Sequence, residues 1–509
     1  MTRFFEGGPG GIPVEVWATP VFWWTCFLGA MSFAVFCLVV ILRKQWVDHE
    51  RLDFPLVEVG ESLADTEVGG RLSQIIRSPL FWIAFGIVMT LKLWNVGSYF
   101  TPAFPPVSIE GGDWQAFPEF PFIGTKISFY AIGFGYFSRL DVLFSAWFFI
   151  LLTAFQVYAF NIFGYTIGAS THHRTSDALG WQSIGALIFM AIWSLWMSRA
   201  HLKAVCRKAF DSRFQVDDSA ELLSYRTAVF GFIGSIGFVA AWLHTAGMMW
   251  WVIFAFLSVA ILMFVGLSKA VAELGLAYIF FRIEPHDAVL QTFGSSMVGL
   301  SGVTMLAFMR VFNFFPNIGK GFIMPAFTQA VKTVDKIAEP RRITTAIWLA
   351  IAFGYALSVF DTLHLCYTYG AYNLGNMGMK WVGPRAFNFA MSAIKNPLPF
   401  GGNGRTMWAG IGALTMAALT LIRYRMPWWP LHPIGLAMQG NHGIARTMFS
   451  IFIAWGMKSG IMRIGGVELY QKGKPFFIGL LAAQAVSTAV VFIVDCIWFP
   501  MQGHNVHNF

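Results

Sequence analysis

The sequence predicts an all-α fold, a polytopic integral-membrane helical bundle of about 11-12 crossings with broken or re-entrant segments. Three observations predict it. Of 509 residues, 56% are apolar and only 12% charged, half the share of about 25% that a soluble domain carries. Mean hydropathy is +0.60. The apolar residues also gather in long unbroken runs, as helical spans of about 20 residues require, and not in short alternating strands. The 53 Phe and 21 Trp suit lipid-facing packing and interfacial belts. A soluble enzyme, a disordered chain and a secreted disulfide scaffold are excluded.

The runs place spans at 20–42, 79–100, 142–167, 179–198, 228–246, 248–267, 343–366, 406–423, 445–462 and 475–498. Two more apolar stretches, 118–138 and 288–315, are interrupted by Gly, Pro and charge and read as full spans, broken helices or re-entrant hairpins. The basic connection 199–226, with Arg199, Lys203, Arg207, Lys208, Arg213 and Arg226, is the best cytoplasmic candidate. The 43–78 connection holds Arg43, Lys44, Arg51, Arg71 and Arg77, diluted by acids, and 101–125 has no Lys or Arg and reads as external. Both basic connections share a side only if 118–138 crosses, so it is counted as a crossing, with the N-terminus outside. The chain is expected to form a single membrane domain, residues 1–509, in two helix groups, 19–282 and 283–509.

The net charge of +9 is spread through short connections, where it sets topology, and no nucleic-acid partner is expected. Cys26, Cys37, Cys206, Cys366 and Cys496 are scattered and form no CxxC pair. His172-His173 and His504-x-x-His507 lack supporting ligand spacing. No hydrolase, nucleotide-loop or dinucleotide-binding context is present. No enzyme, metal or cofactor is expected.

Ionisable groups inside apolar runs normally face a partner or a cavity. Gly354, Ser358, Asp361, His364 and Thr368 recur at spacings of three and four on one helical face. Asp361 and His364 therefore read either as a proton-relaying pair or as a staple between helices. Lys92, Asn95 and Tyr99 share a face of the second span; Lys92 either snorkels or meets an anion. Lys269 and Glu273 are an i,i+4 pair, a salt bridge or part of a coupling site. Gln156, Tyr158, Asn161 and Tyr165 read as interhelical glue.

RKQWVDHERLDFPL (43–56) resembles the Glu-Arg-Leu-x-Phe-Pro segment of the oligopeptide transporter (OPT) superfamily, most of all its prokaryotic OPT-like members. MPWWPLHPIGLAM (426–438), IFIAWGMKSGIMRIGG (451–466) and LYQKGKPFFIGLLAAQ (469–484) resemble its C-terminal part, and AELGLAYI (272–279) an acidic small-residue motif there. The resemblance implies a secondary transporter, often proton-coupled, for small peptides or metal–chelate complexes. It implies a multi-pass protein of the inner (plasma) membrane, solvated by lipid, working as a homo-oligomer or with a partner membrane subunit. Members usually have more spans, so an N-terminal helix group is expected to be missing or supplied by another chain. Their Asn-Pro-Gly motif is only echoed by NPLPFGG (396–402). On this basis Asp361, His364 and Glu273 are the expected coupling residues. Lys92, Asn95, Tyr367, Trp428, Trp429 and His432 are the expected substrate contacts. The competing expectation is a non-transporting scaffold or anchor subunit of a larger complex.

Overall fold

The computed structural model describes residues 2–64, 70–101, 103–108, 111–167, 176–211, 213–214, 216–276, 283–311, 323–333, 340–374, 377–401, 404–499 and 504. In chain order the helices are α1 (Thr2–Glu6), α2 (Val14–Lys44), α3 (Pro55–Ala64), α4 (Arg71–Arg77), α5 (Pro79–Phe100), α6 (Phe129–Phe137), α7 (Leu140–Phe163) and α8 (Asp177–Met197). They continue as α9 (Arg199–Phe210), α10 (Tyr225–Thr245), α11 (Trp250–Leu274), α12 (Pro285–Phe293), α13 (Ser295–Val311) and α14 (Ile323–Lys332). The last five are α15 (Pro340–Tyr369), α16 (Met377–Lys395), α17 (Arg405–Arg425), α18 (Ile434–Met438) and α19 (His442–Trp498). Asp113–Trp114 and Ile123–Gly124 form one short antiparallel strand pair. The chain is an all-α multi-pass membrane protein: among the described residues, nine helices are long and apolar enough to cross a bilayer.

Elements begin and end where local chemistry dictates. Ser128, Ser224 and Asn441 cap α6, α10 and α19 by accepting backbone N–H bonds from Ala131, Thr227 and Ile444. Gly164 after α7 and Gly275 after α11 take left-handed conformations, at φ 63° and 65°, that a side chain would resist. α19 runs 57 residues, about 85 Å by helical rise, enough for the two spans expected there. Gly466, at φ 59° and ψ −148°, breaks it between them.

One expectation needs correction, and one of the open alternatives is resolved. The crossing expected at 118–138 is the second strand of the pair, Ile123–Gly124, followed by α6, a helix of only nine residues. That is about 14 Å of rise against a bilayer core of about 30 Å, too short for a helical span. The stretch 288–315 is, among its described residues, the broken helix that was one of its expected readings. It is α12 and α13, separated by Gly294 at φ 79°, and α13 is itself broken at Gly299; residues 312–315 lie outside the described residues.

The chain divides into two compact units by an order different from the sequential helix groups 19–282 and 283–509. The first unit is Met1–Arg51, Ile192–Val265 and Glu284–Gly402; the second is Leu52–Ala191, Gly266–Ile283 and Asn403–Phe509. In the first unit α2 packs along α10 and α14, with Phe36, Phe327 and Trp348 in mutual ring contact. Arg43 pairs with Glu221 at 2.9 Å, and His201 Nε2 meets the Ile41 carbonyl at 2.8 Å. The C-terminal end of α2 and the basic α9 connection therefore share one end of this unit. In the second unit α5, α6 and the later half of α19 close over Phe81, Ala84, Val88, Ile132, Phe477 and Leu481. There Gly185 and Gly412 bring α8 and α17 into backbone contact, at the Ala409 and Gln182 carbonyls respectively.

Candidate functional site

The second unit collects charged side chains where its helices stop. α11 ends at Leu274 and Gly275, and its last carbonyls are taken from outside the helix: Phe54 N donates to Ala272 at 2.9 Å and Ser138 Oγ to Leu274 at 2.6 Å. Phe54 itself is held at φ 49°, an unusual backbone for a large side chain. It is buried. The end of α11, the turn before α3 and the turn between α6 and α7 thus meet at one level.

Around that junction lie two clusters of charge. Asp141, in the first turn of α7, accepts from Arg423 at 2.6 Å and from Arg139 at 3.0 Å, while Asp53 stands 3.9 Å from Arg139. Burial holds the Asp53 carboxyl above its ordinary range, opposed by the neighbouring Arg139. Glu273, on the last turn of α11, lies with its Oε2 3.3 Å from Nε2 of His432, in the turn leading to α18. That turn is anchored by Ser145, whose hydroxyl donates to the Asp141 carbonyl and accepts from His432 N, both at 2.6 Å.

The protonation of His432 follows from these contacts. Ile434 N donates to its Nδ1 at 3.2 Å, so that nitrogen carries the lone pair. Burial, with the Arg423 guanidinium nearby, pushes the imidazole down to about 3. It is therefore neutral near pH 7, with its one proton on Nε2, aimed at Glu273. The 3.3 Å contact therefore sets a neutral ring beside a carboxylate and is not a pair of opposite charges.

A buried lysine completes the site. Lys458 in α19 donates to the Ser138 carbonyl at 2.6 Å and lies 4.8 Å from the Tyr470 ring centroid. Tyr136 stacks on Phe477 at 3.7 Å, and its hydroxyl donates to the Tyr470 carbonyl at 2.9 Å. Lys474 pairs with Glu58 at 2.6 Å.

Glu273 and His432, expected in separate roles, are thus brought together. The other expected residues lie elsewhere. Asn95 spends its amide closing the loop after α5, donating to the Val107 carbonyl at 3.0 Å and accepting from Val107 N at 2.8 Å. Lys92 is partly buried on α5. Trp428 is exposed, and Trp429 is half-buried beside it. In the first unit Tyr367 is buried, accepting from Trp17 Nε1 at 2.9 Å and packing on Phe4. Gly354, Ser358, Asp361, His364 and Thr368 do share a face of α15, and that face is exposed. His172, His173, His507, residues 277–279 and Gly402 lie outside the described residues.

Sequence reasoning missed Asp141, Arg423, Arg139 and Lys458. Lys458 gave a readable signal, a cation inside an apolar run. The others sit at span edges, where charge is ordinary. Among the described residues no group of three or more His, Cys, Asp or Glu is arranged to hold a metal ion. No curated protein matches the chain. The family of unknown function DUF6785 matches it over residues 1–507, and the chain belongs to that family.

Proposed function

We propose that the protein is a secondary transporter, proton-coupled through Glu273, with its site at the helix ends of the second unit. The carrying observation is the Glu273–His432 contact of 3.3 Å. It joins a carboxylate on a long apolar helix to a turn containing Pro430, His432 and Pro433. Protonating Glu273 removes its negative charge and weakens its oxygens as acceptors for the neutral His432, which loosens the turn from α11. A proton is thereby exchanged against a conformational tie, the element that alternating access needs.

The surrounding groups support a substrate with a carboxylate. Arg139, Lys269, Arg423, Lys458 and Lys474 stand against Asp53, Glu58, Asp141 and Glu273. Small peptides and metal–chelate complexes both present such groups, in keeping with the OPT resemblance, and the inner membrane is the location that resemblance carries. Of the three coupling candidates, Glu273 is buried beside a titratable partner, whereas Asp361 and His364 are exposed. The test is uptake of a di- and tripeptide pool, and of an iron chelate, into proteoliposomes with and without a pH gradient.

One observation favours the second reading, a scaffold or anchor subunit. α15 shows Ser358, Asp361 and His364 on the exposed face of a helix long enough to span. Such groups facing lipid are costly, and a partner membrane subunit or a second copy would cover them. Co-purification of an uptake-inactive chain in a fixed stoichiometry with another membrane subunit would support that reading.

A further inference from the structure

The first unit presents a band of cations between two spans. α9 follows α8 after the single residue Ser198, and α10 begins at Tyr225; both α8 and α10 are long and apolar enough to cross a bilayer. Along α9, Arg199, Lys203, Arg207 and Phe210 are spaced by four, four and three, which sets them on one face, and all four are exposed. The opposite side is spent on the protein: Val205 and Ala209 are buried, and His201 Nε2 meets the Ile41 carbonyl at 2.8 Å.

Aromatic contacts fix the level at which this face lies. Trp196, in the last turn of α8, is 60% exposed, and the Arg199 guanidinium stands 5.0 Å from its ring centroid. At the other end Phe210 is 69% exposed and touches Phe230, in the second turn of α10, with ring centroids 5.3 Å apart. Both ends of α9 are therefore tied to the ends of apolar spans. Exposed aromatic rings alternating with cations at that level are the composition of a helix lying along a bilayer surface.

The cations of this face lack counter-charges. The acids of the connection that follows are already engaged: Asp211 accepts from Arg213 N at 3.0 Å, Asp217 from Ser219 Oγ at 2.6 Å, Asp218 from Tyr225 N at 3.0 Å and Glu221 from Arg43 at 2.9 Å. Among the described residues, no carboxylate pairs with Arg199, Lys203 or Arg207. Arg199 donates to the Trp196 carbonyl at 2.9 Å, and Arg207 stands 4.7 Å from the Phe214 ring centroid.

We propose that the exposed face of α9 binds anionic phospholipid headgroups, with Arg199, Lys203 and Arg207 on the phosphates and Trp196 and Phe210 at the acyl boundary. Charge complementarity selects the headgroup. A zwitterionic lipid brings its own cation to the surface, whereas an anionic one supplies the missing counter-charge. The flanking rings select a lipid over a soluble anion, because only a lipid covers them as well.

The test is electron spin resonance of spin-labelled phosphatidylglycerol or phosphatidylcholine in phosphatidylcholine bilayers containing the full-length protein. The expected result is a several-fold preference of the protein-immobilised population for phosphatidylglycerol at low salt, falling as salt rises. The double variant Lys203→Gln/Arg207→Gln should bring the ratio close to that of phosphatidylcholine. Lys203→Arg/Arg207→Lys should retain the preference, as should Lys472→Gln, which removes an exposed cation that already pairs with Glu468. Equal immobilisation of the two lipids by wild type would overturn the proposal, as would an undiminished preference in the glutamine double variant. Inorganic phosphate abolishing the preference more effectively than chloride at equal ionic strength would overturn it in favour of a free anion. Capture of a soluble acidic polypeptide by wild type, lost in the double variant and with no lipid preference, would overturn it in favour of a protein partner. The readout is lipid association and not uptake, so it stands apart from the transporter reading.

Discussion

Glu273 Oε2 and His432 Nε2 stand 3.3 Å apart, tying the end of α11 to the turn before α18. The tie depends on two fixed features: the left-handed Gly275 that ends α11, and the Ile434 N–H that reserves Nδ1 of the imidazole. The contact places a neutral imidazole against a carboxylate, so protonating Glu273 would alter it.

Replacing His432 by Gln keeps a donor near Glu273 but removes the ring. Transport should persist with a weakened gradient response. The measurement is uptake rate against external pH for His432→Gln beside wild type; identical profiles would remove His432 from the mechanism.

Acid should destabilise the fold through two histidines. Burial lowers both His201 and His432 below the ordinary histidine value of about 6.5, His432 to about 3. Below their ordinary range the unfolded chain binds protons that the folded chain refuses, so stability is full above about pH 6.5 and is lost as pH falls toward the folded value. Thermal unfolding midpoints in detergent should drop across that window, and His432→Gln should flatten part of the drop. A midpoint independent of pH there would contradict the neutral-ring assignment.

Asp141 holds two guanidinium groups, Arg423 at 2.6 Å and Arg139 at 3.0 Å. Asp141→Asn leaves both cations short of a counter-charge. With the group about a quarter exposed, the cost should be about 2 kcal/mol, within the range for charged hydrogen bonds after screening. A lowered unfolding midpoint checks this; an unchanged one would make the cluster incidental.

Gly412 lies against the Gln182 carbonyl so closely that an added Cβ overlaps backbone. Gly412→Ala must push α17 from α8, at a cost of about 1–3 kcal/mol. Because Gly410 has open space, Gly410→Ala is the matched control. It should leave the midpoint within a few tenths of a kcal/mol.

Much of the fold was legible because lipid imposes one pattern, about 20 apolar residues per span. The run at 79–100 coincides with α5, and those at 142–167 and 406–423 mark α7 and α17 within a few residues. The segment 118–138 was not legible, since its apolar composition does not separate a span from a nine-residue helix behind a strand pair. At the site, Glu273 and His432 each stood out as polar groups beside Gly or Pro, but their pairing is a tertiary fact. Asp141 and Arg423 lie at helix ends, where charge is unremarkable. The spacing of Asp361 and His364 read the helical face correctly without showing that the face is exposed.

The central claim is most directly tested by gradient-driven uptake in proteoliposomes containing wild type or Glu273→Gln. The account predicts that wild type accumulates a peptide or chelate against its gradient when the pH gradient is imposed. The variant should only equilibrate the same substrate, at a rate insensitive to pH. Accumulation by Glu273→Gln equal to wild type would contradict the coupling role of Glu273. Absence of uptake by folded, monodisperse wild type would contradict the transporter reading itself.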